Sequence, residues 1–191
     1  MLIKYLIIKP SYSIIRILRR AHIRLKLISL KLRGVNVDWS AKIHPAAVIE
    51  PNGGNISIGK NSFIDRNVIL RGFGGSIIIG DDCSVNAFSL LSGGGGIVIG
   101  DSVRIASHSV IVASNHKFID KNILIKDQGM SQIGINIEDD VWVGAGSKIL
   151  DGVQIRQGTV IGAGSVVTKS TEAYSVIVGV PAKFIKKRKH I

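Results

Sequence analysis

The chain has 191 residues, a single cysteine and a formal net charge of +12. That length suits one domain with a continuous core. Lone Cys83 excludes an intramolecular disulfide and fits a reducing compartment. The charge is concentrated at the two ends, and the middle of the chain is close to balanced. No nucleic-acid recognition motif accompanies it, and the basic N-terminal segment is aliphatic instead of carrying aromatics for base stacking, so nucleic acid is not expected as a partner.

Residues 1–36 form the first segment. Before Asp38 there is no acidic residue, but there are nine basic ones: Lys4, Lys9, Arg16, Arg19, Arg20, Arg24, Lys26, Lys31 and Arg33. Ile14, Leu18, Ala21, Leu25, Ile28 and Leu32 recur at steps of four and three, one stripe of an amphipathic helix. Such a helix can cap the domain or lie on an anionic membrane surface. Ile23, Leu27 and Leu30 interrupt its polar face, which favours packing against the protein or a neighbouring subunit. No run reaches the roughly 20 apolar residues of a transmembrane helix. No small-residue cleavage site follows an apolar core. The expected location is cytoplasmic, with peripheral membrane contact through this segment as the minority reading.

From Val37 to Val167 an aliphatic residue returns every six positions. The triplets are Val37, Ile43, Ile49; Ile58, Ile64, Leu70; Ile79, Val85, Leu91; Ile99, Ile105, Ile111; Ile137, Val143, Ile149; and Ile155, Ile161, Val167. A step of six is neither helical nor a plain alternation. It fits coils of three short strands, each placing one aliphatic side chain on a common axis, with coils stacked roughly 4.8 Å apart. Glycines after the aliphatic residues, and Asn or Asp nearby, are expected to supply positive φ at the corners. Gly-rich inserts recur after the third hexad, as in Gly72-Phe73-Gly74-Gly75 and Gly93-Gly94-Gly95-Gly96. Cys83, within Gly80-Asp81-Asp82-Cys83, is expected to be structural.

The rhythm breaks once. Ile111 and Ile137 lie 26 apart, which leaves a loop over 114–136 at the corner where earlier coils carry their glycine inserts. Long excursions from a rigid scaffold carry binding or catalysis. Ser114-Asn115-His116 opens this one, so His116 is the candidate for chemistry. An imidazole titrates near neutrality and can take a proton from a hydroxyl attacking an acyl carbonyl. A surface loop histidine is the bland alternative. Asp120 could orient the ring, or be an exposed loop carboxylate. His108 and His116 lack the third ligand that a zinc site needs, so no metal is expected.

After the loop come Trp142-Val143-Gly144-Ala145-Gly146, then Ile161-Gly162-Ala163-Gly164 running into Thr168-Lys169, and finally Val178-Gly179-Val180-Pro181-Ala182-Lys183. Small residues at these corners allow a ligand to approach the backbone closely. A basic tail, 171–191, closes the chain.

The hexads and these segments resemble the hexapeptide-repeat acyltransferases, over roughly residues 37–186. The loop segment is similar to the maltose and galactoside O-acetyltransferase type and its branch that acetylates bacterial surface polysaccharides. The resemblance implies an all-β fold, a left-handed parallel β-helix over 37–170 with an N-terminal helical segment. It implies a homotrimer with sites between subunits, acetyl-CoA as acyl donor and a saccharide acceptor. It makes His116 the general base and Asn86 an acceptor contact. Ala145 and Ala163 would line the pantetheine arm, with Thr168 and Lys169 further along the cofactor and Lys183 and Lys186 near its phosphates. Where galactoside enzymes place an acidic acceptor contact, this chain has the Gly93 to Gly96 run. The expected function is O-acetylation of a sugar hydroxyl in capsule, O-antigen or exopolysaccharide synthesis. A sugar N-acetyltransferase on an amino-sugar nucleotide and a non-enzymatic scaffold are the alternatives.

Overall fold

The structure is a computed structural model, and it describes residues 12–189. Helix α1 (Tyr12–Leu32) leads into a three-sided parallel β-helix. Face 1 stacks Asn36–Val37, Asn55–Ile58, Ser76–Ile79, Ile97–Ile99, Ile135–Ile137 and Gln154–Ile155. Face 2 stacks Lys42–Ile43, Phe63–Ile64, Ser84–Val85, Arg104–Ile105, Trp142–Val143 and Val160–Ile161, then the hairpin Ser175–Gly179 and Ala182–Lys187. Face 3 stacks Val48–Glu50, Ile69–Arg71, Leu90–Ser92, Val110–Val112, Lys148–Ile149 and Val166–Val167.

The register follows the hexads. Val37 pairs with Ile58, Ile58 with Ile79, Ile79 with Ile99, Ile99 with Ile137 and Ile137 with Ile155. All eighteen hexad aliphatics are at most 2% exposed. Two residues before each lies a second buried position, filled by Ser62, Cys83, Ser89, Ser109, Ser147, Thr159 and Ser165 among others. These small polar groups satisfy backbone at the turns. Ser62 Oγ donates to Gly80 O at 2.7 Å and accepts from the N–H of Cys83 at 2.9 Å, and Ser147 Oγ donates to Gly162 O at 3.0 Å. Cys83 belongs to this ladder, and burial pushes its thiol pKa up.

The glycines behave differently from the expectation. Gly59, Gly80 and Gly100 do not hold positive φ. They sit where coils approach too closely for a side chain: a Cβ on Gly80 would lie 2.6 Å from Gly100 O. The left-handed position comes three residues after the aliphatic, at Asn61, Asp82, Ser102 and Asp140 between faces 1 and 2. Between faces 2 and 3 it is taken by Asn67, Phe88, His108, Gly146 and Gly164.

Helix α1 crosses the open end of the first coil. The helix packs against the protein, as expected, but the regular stripe is not what it buries: Leu18, Leu25, Ile28 and Leu32 are 44–84% exposed in the single chain. Leu27 and Leu30, on the opposite side, join the core at 1% and 0%. Lys26 Nζ donates to Ala47 O at 2.9 Å and Arg33 to Ile49 O at 3.1 Å, which satisfies carbonyls of the terminal coil. Two apolar sides exist on this helix, and the one that also brings donors to the open strand edge is the one that packs. At the other end, the segment read as a basic tail forms the face 2 hairpin as far as Lys187. His190 and Ile191 lie outside the described residues.

Candidate active site

The loop leaves the prism after face 3 and returns to face 1. Its two ends zip as a short antiparallel pair, Asn115–His116 with Met130–Ser131, with Asn115 opposite Ser131 and His116 opposite Met130. His116 is therefore held by backbone pairing while its side chain is exposed. Within the loop, the Gln128 amide donates to Asp120 O at 2.7 Å and Ile123 O at 2.8 Å, and its oxygen accepts from Asp120 N–H. Asp120 Oδ1 accepts from Asn122 N–H at 2.9 Å, so its carboxylate closes a local turn.

Two features seat the loop that sequence reasoning missed. Asp151, at the same corner one coil on, accepts from the N–H groups of Ile133 and Gly134, the latter at 2.8 Å, and from Ser131 Oγ at 3.3 Å. The Gly93 to Gly96 run lies under the loop's base. A Cβ on Gly95 would fall 2.7 Å from Gln132 C and 2.8 Å from both Ala113 O and Gly134 N. The run makes room for the loop to leave and return. Recognising either from sequence needed the coil register, because Asp151-Gly152 reads locally as one more corner.

The other expected site residues fall into three places. Asn86, Ala145 and Ala163 share the edge between faces 2 and 3. Ala145 and Ala163 are exposed and occupy equivalent places in successive coils, with Gly164 N–H donating to Ala145 O at 2.8 Å. Asn86 Nδ2 donates to Ile105 O at 2.8 Å, which fixes the amide plane against the next coil. Beside it the rings of Phe88 and His108 stack, with centroids 5.1 Å apart and planes 4° from parallel.

Thr168 and Lys169 lie on the edge between faces 3 and 1, the edge from which the loop bearing His116 departs. Lys169 lines a cleft of about 470 Å³ with Ser170, Thr171, Ile177, Ala182 and Phe184. Lys183 and Lys186 lie on the outermost strand. Lys183 pairs with Val178 and Lys186 with Val176, across a register shift beside Ile177. Because Val176 and Val178 are two apart, their partners share one side of the sheet. The bulge thus brings together two lysines whose spacing of three would otherwise oppose them. Lys187 and Arg188 are engaged elsewhere, in ion pairs with Glu172 at 2.9 Å and Asp140 at 2.8 Å. Among the described residues, no cluster of three His, Cys, Asp or Glu is placed to hold a metal ion.

Comparison with known proteins agrees with the fold. Residues 134–169 match the family described as bacterial transferase hexapeptide, six repeats. The chain is 35% identical over 147 residues to WbbJ of Escherichia coli K12, named a putative lipopolysaccharide biosynthesis O-acetyl transferase, covering 73% of this chain and 75% of that one. It is 32% identical over 138 residues to a probable acetyltransferase of Mycobacterium tuberculosis, Rv3034c, and spans 46% of that protein's length. Among solved structures, a variant of AntD is similar with a TM-score of 0.76 and 32% identity, over 86% of this chain and 90% of that one. AntD is an N-acyltransferase from Bacillus cereus, in complex there with dTDP-4-amino-4,6-dideoxyglucose and coenzyme A.

The chain belongs to the hexapeptide-repeat transferases and is an acyltransferase.

Proposed function

We propose that this protein is an acetyl-CoA-dependent O-acetyltransferase that modifies a sugar hydroxyl during surface polysaccharide synthesis. The observation that carries the reading is the single interruption of the solenoid, which presents an exposed imidazole at His116 from a backbone-anchored hairpin. His116 takes the proton from the acceptor hydroxyl as that oxygen attacks the thioester carbonyl. The tetrahedral intermediate collapses, the C–S bond breaks, and the imidazolium returns the proton to the departing CoA thiolate. No protein group is acylated.

Coenzyme A lies, in this reading, along the small-residue edge. Ala145 and Ala163 leave the backbone open to the pantetheine arm, Thr168 and Lys169 contact the cofactor further on from the loop-bearing edge of an adjoining subunit, and the paired Lys183 and Lys186 take its phosphates through charge-assisted hydrogen bonds. Asn86 contacts the acceptor. In one chain face 3 separates the edge of Ala145 and Ala163 from the edge of His116. A homotrimer, in which the loop of one subunit meets the alanine edge of another, joins them.

The likeness to AntD over most of the chain favours a second reading, acyl transfer to the amine of a nucleotide-linked amino sugar. Both reactions use the same base and donor, and the product tells them apart. Acetyl-CoA turnover is to be measured against neutral sugars, polysaccharide fragments and amino-sugar nucleotides. An alkali-labile ester supports O-transfer. An alkali-stable amide as the sole product sinks it in favour of N-transfer.

A further inference from the structure

We propose that α1 docks the β-helix end-on against an anionic lipid surface. The helix has one face to anchor it and another to offer. Leu27 and Leu30, with the hydrogen bonds from Lys26 and Arg33, fix it across the first coil. The opposite side then projects Ile17, Leu18, Leu25, Ile28 and Leu32, which are 64%, 53%, 63%, 44% and 84% exposed. At about 100° per residue these five fall on one stripe, with Arg24 and Lys31 along one flank.

Charge selects the occupant. Nine basic residues and no acidic one precede Asp38. A second copy of this surface would set the flank of Arg24 and Lys31 against like charges, whereas an anionic headgroup layer complements it while the stripe enters the acyl boundary. Trp39 extends the surface beyond the helix. It is 52% exposed, and Lys31 Nζ stands 4.6 Å from its ring centroid, an aromatic and cation pair suited to the headgroup level. Among the described residues no helix is long and apolar enough to cross a membrane, so α1 lies in the interface plane. The inference is independent of the acyl-transfer chemistry, because none of these residues belongs to the proposed site.

The test is co-sedimentation of the full chain with vesicles of phosphatidylcholine alone or of an equal mixture with phosphatidylglycerol. The bound fraction should be at least about tenfold greater on the anionic vesicles and should fall in high salt. Leu25→Ser with Ile28→Ser should lower it about tenfold or more, with melting temperature and oligomeric mass unchanged. Leu32→Ser alone, at the most exposed position, should lower it less but in the same direction. Equal recovery in the supernatant with both vesicle types overturns the proposal, as does binding that the double variant leaves intact. A change of oligomeric mass in the double variant also overturns it, by assigning the stripe to a second copy.

Discussion

His116 owes its position to a strand pair, a carboxylate and a run of glycines. Its strand pairs with Met130–Ser131, Asp151 grips the returning strand, and the glycine run clears space beneath. Replacing Asp151 by Ala removes a charged acceptor from two backbone donors, interactions worth about 1.5–3 kcal/mol each when shielded and less at this half-open corner. The expected outcome is a large loss of acetyl transfer, faster proteolysis between 114 and 134, and a small change in melting temperature. Gly95→Ala should act alike, since the new methyl would overlap Gln132 and Gly134. If either variant keeps full activity and protease resistance, the loop is seated by something else. Cys83 gives a separate check on the second buried ladder. Its thiol pKa is raised chiefly by burial, so a thiol reagent at mildly alkaline pH should label it only after unfolding. Rapid labelling of the native protein would contradict that packing.

At the scale of elements, the aliphatic ladders were legible because a period of six admits few architectures and every position repeats one chemistry. The ladder two residues earlier escaped notice because Ser, Thr, Cys, Ala, Val and Ile share only modest size. The helix was legible as a helix, but not in its orientation, because leucines occupy both sides and the outer stripe is the more regular. Hydrogen bonds from Lys26 and Arg33 decide between them, and sequence periodicity carries no record of such bonds. Leu27→Ala and Leu30→Ala should each cost about 2–5 kcal/mol, read as a fall in melting temperature, while Leu25→Ala should cost little. The C-terminal strand was hidden by its lysines, which mask the alternation of Ala182 and Phe184 toward the core side.

The acid side of stability also belongs to elements. Hydrogen bonds from the Arg156 guanidinium at 2.7 Å and then from Gln157 N–H at 2.8 Å hold Glu138 below the usual carboxylate range. The Ser40 hydroxyl and N–H do the same for Asp38, and Lys187 for Glu172. Each folded carboxyl is depressed, so the unfolded chain binds the extra proton. The stabilisation is complete above the unfolded pKa, near 4, and is lost as pH falls through the folded value. Melting temperature should decline from about pH 5 downward, and Glu138→Gln should flatten part of that slope. A slope unchanged by the substitution would count against the Arg156 contact.

At the scale of the whole molecule, the prism divides the proposed site residues between two edges. In the sequence His116 stands out because it opens the break in the repeat, and the alanine corners because the segments around them resemble the family's. The sequence could not place them relative to each other, since edge assignment depends on which face each hexad enters. Assembly as a trimer supplies the missing juxtaposition in the proposed reading. Sedimentation velocity should therefore give the mass of three chains under assay conditions, and a fully active monomer would rule out a shared site.

The most direct test of the central claim is the rate of CoA thiol release from acetyl-CoA with a saccharide acceptor, for the wild-type chain and for His116→Ala. A general base contributes about 10²–10⁴-fold, so the substitution should cut turnover by that factor while CoA affinity and melting temperature stay unchanged. Turnover retained in His116→Ala would contradict the assignment of that residue as the base.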